Sequence, residues 1–230
     1  MSNDNPAKMK LSIIIPVLNE AEGIGACLGS LQELRRRGHE VIVVDGGSAD
    51  ATPAVAAPGC DKLINSARGR ARQMNAGAAA ATGDIVVFLH ADTLIPFDLE
   101  KALNRIEGDN AWGCFSVRLS GAHPLLRLIG FFINLRSRWT GIISGDQTLF
   151  VLGTLFNHAG GYPDIPLMED IAFSKTLKRY RAPVCLGDTV ISSSRRWERY
   201  GIVKTMLRMW LRRFRFAVGV NPAILAKDYE

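Results

Sequence analysis

The feature that most restricts this chain is a repeated switch of period. Continuous apolar runs too short to be helices alternate with stretches whose apolar residues recur every three or four positions. "KLSIIIPVLNE" (Lys10–Glu20) is a β-branched run stopped by Pro16 and Asn19, which predicts a parallel strand buried on both faces. Glu20 to Arg37 then has helical spacing, with Ile24, Leu28, Leu31 and Leu34 on one side and Gly38 as the stop. "HEVIVVDGGSAD" predicts a second buried strand entering a Gly-Gly turn, with Ser48 or Asp50 capping a short helix. "CDKLIN" adds a short strand, "GRARQMNAGAAAATG" an alanine-rich helix ending at Gly83, and "DIVVFLHAD" the next strand. Such alternation implies an α/β fold around a parallel sheet with right-handed crossovers.

Past Glu107 the pattern changes. "AWGCFSVRLSG" reads as an antiparallel or edge strand, and His123–Thr140 as an apolar helix carrying Arg127, Arg136 and Arg138. "ISGDQTLFV" is a turn into a strand, "MEDIAFSKTLKRY" opens a helix, and "APVCLGDTVISSS" is a late strand. The expected organisation is one domain over 1–200, followed by a basic helix and tail over 201–230.

Composition limits the alternatives. A chain of 230 residues with 47% hydrophobic and 22% charged residues can bury a core and is not disordered. Cys27, Cys60, Cys114 and Cys185 lack CxxC spacing, which fits a reducing compartment better than a disulfide framework or zinc site. No apolar segment follows a basic one at the N-terminus, and no apolar run reaches the ~18–20 residues of a spanning helix. The expectation is a cytoplasmic protein, soluble or peripheral on the inner face of the membrane. Residues 195–230 hold nine basic and three acidic residues, which is the whole net charge of +6.

Ligands of open parallel sheets bind beyond the carboxyl ends of the strands. Three such ends here deliver Pro16–Glu20, Asp45-Gly46-Gly47-Ser48 and His90-Ala91-Asp92. Gly46 and Gly47 permit close backbone approach, and Asp45 either accepts hydrogen bonds from a base or ribose or caps its own turn. Arg68, Arg70 and Arg72 gather at a helix start, where they suit phosphate or form a solvated basic face. No GxGxxG follows the first strand and no GxxxxGK[ST] is present, which excludes the usual dinucleotide fingerprint and the P-loop. His39 is expected at a surface turn, His123 and His158 in structural positions, and His90 packed or hydrogen-bonded rather than on a metal.

"SIIIPVLNEA", "VIVVDGGSAD", "GRARQMNAGAAAATGDIVVFLHADT" and "MEDIAFSKTLKR", in this order and spacing, resemble family 2 glycosyltransferases of the GT-A fold. Within the family the chain looks most like the short bacterial "transferase 2" subgroup associated with radical-SAM/selenodomain proteins. The resemblance implies a Rossmann-like, mixed but mainly parallel sheet flanked by helices. It also implies a nucleotide-diphospho-sugar donor, a divalent cation (Mn2+ or Mg2+) and inverting transfer to an acceptor hydroxyl. Carried over position by position, it puts the backbone around Pro16 to Asn19, Leu18 included, and the side chain of Asp45 at the nucleoside, Arg68 or Arg70 at the base or phosphates, and Glu20 and Gly46 among the donor-binding residues. Ala91 and Asp92 then face the diphosphate, with Asp92 the metal ligand as the last acid of an Asp-x-Asp motif whose first position is His90. Asp170, with Glu169 as second choice, takes the general-base position. "SSSRRWERYG" resembles the RW end of a QxxRW motif, with Ser193 in place of the Gln, so no processive synthesis is inferred. Arg196 and Trp197 either close over the phosphates or acceptor, or sit as a surface arginine and a core tryptophan. Asp146 and Gln147 of "SGDQTLF" are acceptor-side candidates.

The tail carries two stripes. Val203, Met206, Leu207, Trp210, Leu211, Phe214, Ala217 and Val218 form one, and Lys204, Arg208, Arg212 and Arg215 the other. Either 202–218 lies on an anionic membrane to reach a lipid or polyprenyl-phosphate acceptor, or its apolar face packs on the domain with the arginines in solvent. Nucleic acid is not expected, because no reading motif accompanies the charge. Two other functions compete. A sugar-nucleotide pyrophosphorylase would need a basic loop after the first strand, which "IPVLNEAEGIGA" lacks. A degenerate membrane-surface or partner-binding module is favoured by the altered His90-Ala91-Asp92 motif and the basic tail, and opposed by the retained Asp45, Asp92 and Glu169-Asp170.

Overall fold

The computed structural model describes residues 9–106 and 111–227. The first eight residues, on which the leader reading falls, and the last three of the tail lie outside the described residues. β1 (Leu11–Val17) is buried on both faces: Leu11, Ile13, Ile15 and Val17 enter one core layer and Ile14 the other. α1 (Ala21–Arg36) covers the first layer with Ile24, Cys27, Leu28, Leu31 and Leu34. β2 (Glu40–Asp45) repeats the alternation, Val41 and Val43 against Ile42 and Val44. The uninterrupted apolar runs are thus the signature of strands with helices on both sides.

α2 (Thr52–Ala56) and β3 (Lys62–Asn65) complete the first edge. α3 (Arg70–Ala80) covers the second layer through Ala71 and Met74 and ends three residues before Gly83, the expected stop. It lies unusually close to the sheet: a Cβ on Gly77 would stand 2.4 Å from Ile14 Cγ2 and 3.0 Å from Val44 Cγ2. β4 (Ile85–Phe88), the short β5 (Thr93–Leu94) and α4 (Leu99–Leu103) follow. β6 (Trp112–Leu119) leads into α5 (Pro124–Thr140), then β7 (Leu149–Leu152), α6 (Gly153–His158) and α7 (Glu169–Leu177). β8 (Val184–Ser192), α8 (Arg195–Tyr200), α9 (Ile202–Ala217) and α10 (Pro222–Lys227) close the order.

Among the described residues one eight-stranded sheet runs β3-β2-β1-β4-β7-β6-β8-β5. β3, β2, β1 and β4 are mutually parallel, whereas β7 is antiparallel to both neighbours and β5 is antiparallel to β8. This is the expected mixed, mainly parallel α/β sheet flanked by helices. Of its two expected settings β6 takes the antiparallel one, against β7, and is not an edge strand, because β8 pairs in parallel with its other side. Its burial on both sides comes from pairing with a strand some seventy residues away, which no local pattern announces.

Two further readings are corrected. His39 is buried rather than on a surface turn; its Nδ1 accepts from Leu11 N–H at 3.1 Å and its Nε2 lies 3.2 Å from Glu100. The turn at Gly38 folds the side chain back onto the start of β1. The packing alternative for α9 is reversed. Ile202, Met206 and Met209 rest on the core and Arg212 is buried, while Val203, Leu207, Trp210, Leu211, Phe214 and Val218 face outward. The helix is apolar on two faces, and the narrower one is used.

Glu40 ties the sheet's starting edge together. Its carboxylate accepts from Ser12 Oγ at 2.5 Å, from Thr82 and from Lys62 Nζ at 3.2 Å. Burial alone would raise its carboxyl, but these hydrogen bonds overcome the penalty and hold it at about 2. Because the folded value lies below the unfolded 4.5, the stabilisation is present above that value and is lost as pH falls towards 2. Glu40→Gln should cost about 1–3 kcal/mol at neutral pH. The deficit, followed by urea denaturation, should shrink as pH falls from 4.5 towards 2.

Candidate active site

The loops leaving β1 and β2 are stitched into one rim. Asn19 N–H donates to Ser48 Oγ at 2.9 Å, Ala49 N–H to Asn19 Oδ1 at 2.8 Å, and Glu20 N–H to Thr52 Oγ1 at 2.8 Å. Buried Asp45 accepts from the N–H groups of Gly47 and Ser48 at 3.1 and 3.0 Å and from the Ser48 hydroxyl, so it holds the Gly-Gly-Ser turn. Gln73 reaches across from α3 and donates to the carbonyls of Val17 and Val44 at 2.7 and 2.9 Å. A glutamine inside an arginine- and alanine-rich helix gave no sign of this in the sequence.

Beyond β4 the chain turns at His90 and Ala91, with Thr93 N–H bonded to His90 O at 3.0 Å. The His90 ring lies against Gly145, and its Nδ1 faces Asp146 Oδ1 at 3.6 Å. Asp170 at the start of α7 accepts from Gly145 N–H at 2.9 Å and from Ile171 N–H at 2.7 Å. Glu169, buried beside it, lies 3.5 Å from Arg70 NH1. Arg70, His90, Gly145, Tyr162, Glu169 and Asp170 therefore line one recess, together with Ser144 and apolar side chains. The acidic pair meets one of the two acceptor-side candidates here, Asp146 through His90, whereas Gln147 is buried away from the recess and donates to Ser137 Oγ at 2.8 Å. Arg70 stands with them rather than with the β1–β2 rim, and Arg68 is exposed. Arg72 points elsewhere, to Asp164 at 2.9 Å.

The segment after β8 closes the third side. Ser193 N–H donates to Asp92 O at 3.2 Å, and Arg195 NH2 lies 3.2 Å from Glu20 Oε2. Arg195, not singled out in the sequence, thus spans from α8 to the β1 loop. Trp197 is packed in the core, so of its two expected settings the structure takes the buried one. Pro16 and Leu18 are half-buried along the β1 end, and Gly46 and Ala91 are buried.

Charge is concentrated here. Burial raises the Glu20 carboxyl above its usual range, opposed by the Arg195 hydrogen bond and reinforced by the charge of Asp92. Burial likewise raises Glu169, with Arg70 opposing and Asp170 adding to it. For Asp146 burial is outweighed by the hydrogen bond and charge of His90 and the charges of Arg70 and Arg196, which hold the carboxyl low. Perturbed acids with named charge partners in a cleft are the physical mark of a functional site. Backbone strain coincides with them: Asn19, Thr148 and Met168, the non-glycine residues with positive φ among those described, all adjoin these loops.

Among the described residues no three His, Cys, Asp or Glu side chains lie close enough to hold a metal ion by themselves. Asp92 is half-buried in the loop after β4 and would hold a hard cation only together with oxygens supplied by a bound diphosphate and water. Gly145 packs closely on His90, since an added Cβ would stand 2.5 Å from His90 Nε2. Gly145→Ala should push the ring off Asp146 and cost about 1–3 kcal/mol, read as a drop in Tm by calorimetry.

The sequence profile of glycosyl transferase family 2 matches residues 12–149. A PGL/p-HBAD biosynthesis glycosyltransferase of Mycobacterium tuberculosis is 41% identical over 149 residues, 60% of this chain and 54% of the relative. An undecaprenyl-phosphate 4-deoxy-4-formamido-L-arabinose transferase of Sodalis glossinidius is 38% identical over 105 residues, 38% of this chain and 30% of the relative. The chain spans about half, or less, of the length of these curated relatives. Among solved structures, a mannosyltransferase from Pyrobaculum calidifontis in complex with GDP-Man and Mn2+ superposes with a TM-score of 0.64 at 23% identity, covering 81% of this chain and 57% of that one. Glucosyl-3-phosphoglycerate synthase from Mycobacterium tuberculosis, with Mn2+, UDP and phosphoglyceric acid, does so at 0.64 and 20% identity, covering 93% and 80%. These two likenesses establish the shared fold, and the profile covering more than half of the sequence establishes kinship: the chain belongs to glycosyl transferase family 2.

Proposed function

We propose that this chain transfers a sugar from a nucleotide diphosphate to an acceptor hydroxyl, with inversion and with the help of a divalent cation. The observation that carries this reading is the recess where Asp170, Glu169 and Arg70 meet His90, just past the end of β4 and two residues before Asp92. The β1–β2 rim, with Pro16, Leu18, Asp45 and Gly46, holds the nucleoside, and Glu20 and Ala91 border the diphosphate. Asp92 holds the Mn2+ or Mg2+ ion that the diphosphate brings; the ion supplies charge stabilisation to the leaving group. Arg68 and Arg196 add positive charge at the phosphates. The GDP, UDP and Mn2+ of the solved structures with this fold support the same donor class.

Asp170 accepts the proton of the acceptor hydroxyl as its oxygen attacks the anomeric carbon, and the bond to the nucleotide diphosphate breaks on the opposite face. The two backbone donors on Asp170 fix its carboxylate in place. Glu169 and Arg70 form the wall behind it, and the His90–Asp146 pair borders the acceptor. A lipid-borne or polyprenyl-phosphate acceptor is the class we favour, in line with the undecaprenyl-phosphate relative. The enzyme acts at the inner face of the cytoplasmic membrane, touching it through 202–218.

Asp170→Asn should lower kcat about 10²–10⁴-fold in a radiolabelled-sugar transfer assay while leaving donor binding intact. Asp92→Asn should abolish Mn2+-dependent binding of nucleoside diphosphate in calorimetry. Retention of both activity and metal-dependent binding by Asp92→Asn would overturn the assignment.

A further inference from the structure

α9 turns its broad apolar stripe away from the protein. Leu207, Trp210, Leu211 and Phe214 are 55–65% exposed, while Ile202, Met206 and Met209 of the same helix rest on the core. α5 does likewise: Leu126, Ile129 and Ile133 face inward, and Phe131, Phe132 and Trp139 are 58, 51 and 81% exposed. Both helices pack on the same core layer. α5 is tied at its end to Lys178 of the turn after α7, and Phe216 of α9 lies under Lys175 of α7, 5.3 Å from ring centroid to Nζ. Isolated exposed apolar residues are ordinary, but outward aromatic faces on two helices that both reach α7 mark a binding surface.

We infer that the outward faces of α5 and α9 form one docking surface for an anionic lipid bilayer. At ~100° per residue, Lys204, Arg208 and Arg215 fall along one flank of the α9 stripe, where basic side chains reach lipid phosphates as the apolar residues sink among the acyl chains. The surplus positive charge of the whole chain lies in this tail. A second copy would bring equal charges together, whereas an anionic surface complements them. No described helix is long and apolar enough to cross a membrane, so the contact is interfacial. The surface also adjoins the acceptor side of the recess: Arg136 of α5 donates to Ser144 Oγ at 3.2 Å, and α7 begins with Glu169 and Asp170. The inference deepens the transfer reading by naming the direction from which a lipid-borne acceptor arrives.

The test is flotation of the full chain with vesicles of phosphatidylcholine alone and with added phosphatidylglycerol. Binding should require the anionic lipid, weaken with salt and shift tryptophan emission to the blue. The exposed triple variant Leu207→Glu/Trp210→Glu/Phe214→Glu should bind at least about tenfold more weakly while keeping the wild-type Tm. No binding to anionic vesicles, or binding unchanged in the variant, would overturn the inference. So would a wild-type dimer in sedimentation that the variant turns into a monomer, because the face then meets a second copy. Vesicle binding needs neither nucleotide nor metal. Its loss with transfer intact removes only the docking surface, and the reverse removes only the transfer reading.

Discussion

The two-sided burial of β1 is the constraint on which the rest depends. A strand whose odd and even residues both enter cores has little freedom in register, because a one-residue slip would move every side chain to the wrong layer. Val17 is thereby fixed opposite Asp45, and Ile14 opposite Phe88. Those two pairings set the loops after β1, β2 and β4 beside one another. Gln73, donating to the carbonyls of Val17, the last of β1, and Val44, the last but one of β2, closes the sheet at the point where the loops diverge. The close seat of α3 at Gly77 brings Gln73 and Arg70 to the same end of the sheet.

From that alignment follows the electrostatic character of the recess. Glu20 and Glu169 are each raised by burial, yet each has a guanidinium within 3.5 Å, Arg195 and Arg70 respectively. Asp146, in contrast, is kept ionised by His90 and the arginines. Acids of similar intrinsic strength are thus separated by environment, which is how a single cleft can hold carboxylates for different tasks. The strained Met168, directly before Glu169, turns the chain so that the acidic pair opens α7 at the recess.

How much of this was legible depends on the range of the interaction. β1, β2 and β4 were plain in the sequence because burial on both faces leaves an unbroken apolar run. The family resemblance brought Asp92, Glu169 and Asp170 to notice, and the fold brings the acidic pair to the end of β4. The position of β6 beside β8, the burial of His39 and the reach of Gln73 were not legible, since each rests on a partner far along the chain. Arg70 shows the difference within one motif. Its place at a helix start was readable, but its partner Glu169, 99 positions away in sequence, was not.

α9 shows a second limit of pattern reading. A helical stripe of apolar residues fixes which side chains share a face but not which way that face turns. Here two apolar stripes compete for the core, and the broader one loses. The broad stripe carries Trp210, Leu211 and Phe214, while the sixteen-residue helix is seated on Ile202 and two methionines. Methionine, unbranched and adaptable, fills an irregular gap that rigid rings would not. The outcome leaves the large side chains in solvent, so folding gains nothing from their apolar area. That uncompensated exposure is itself an argument that the surface is completed by something outside the chain.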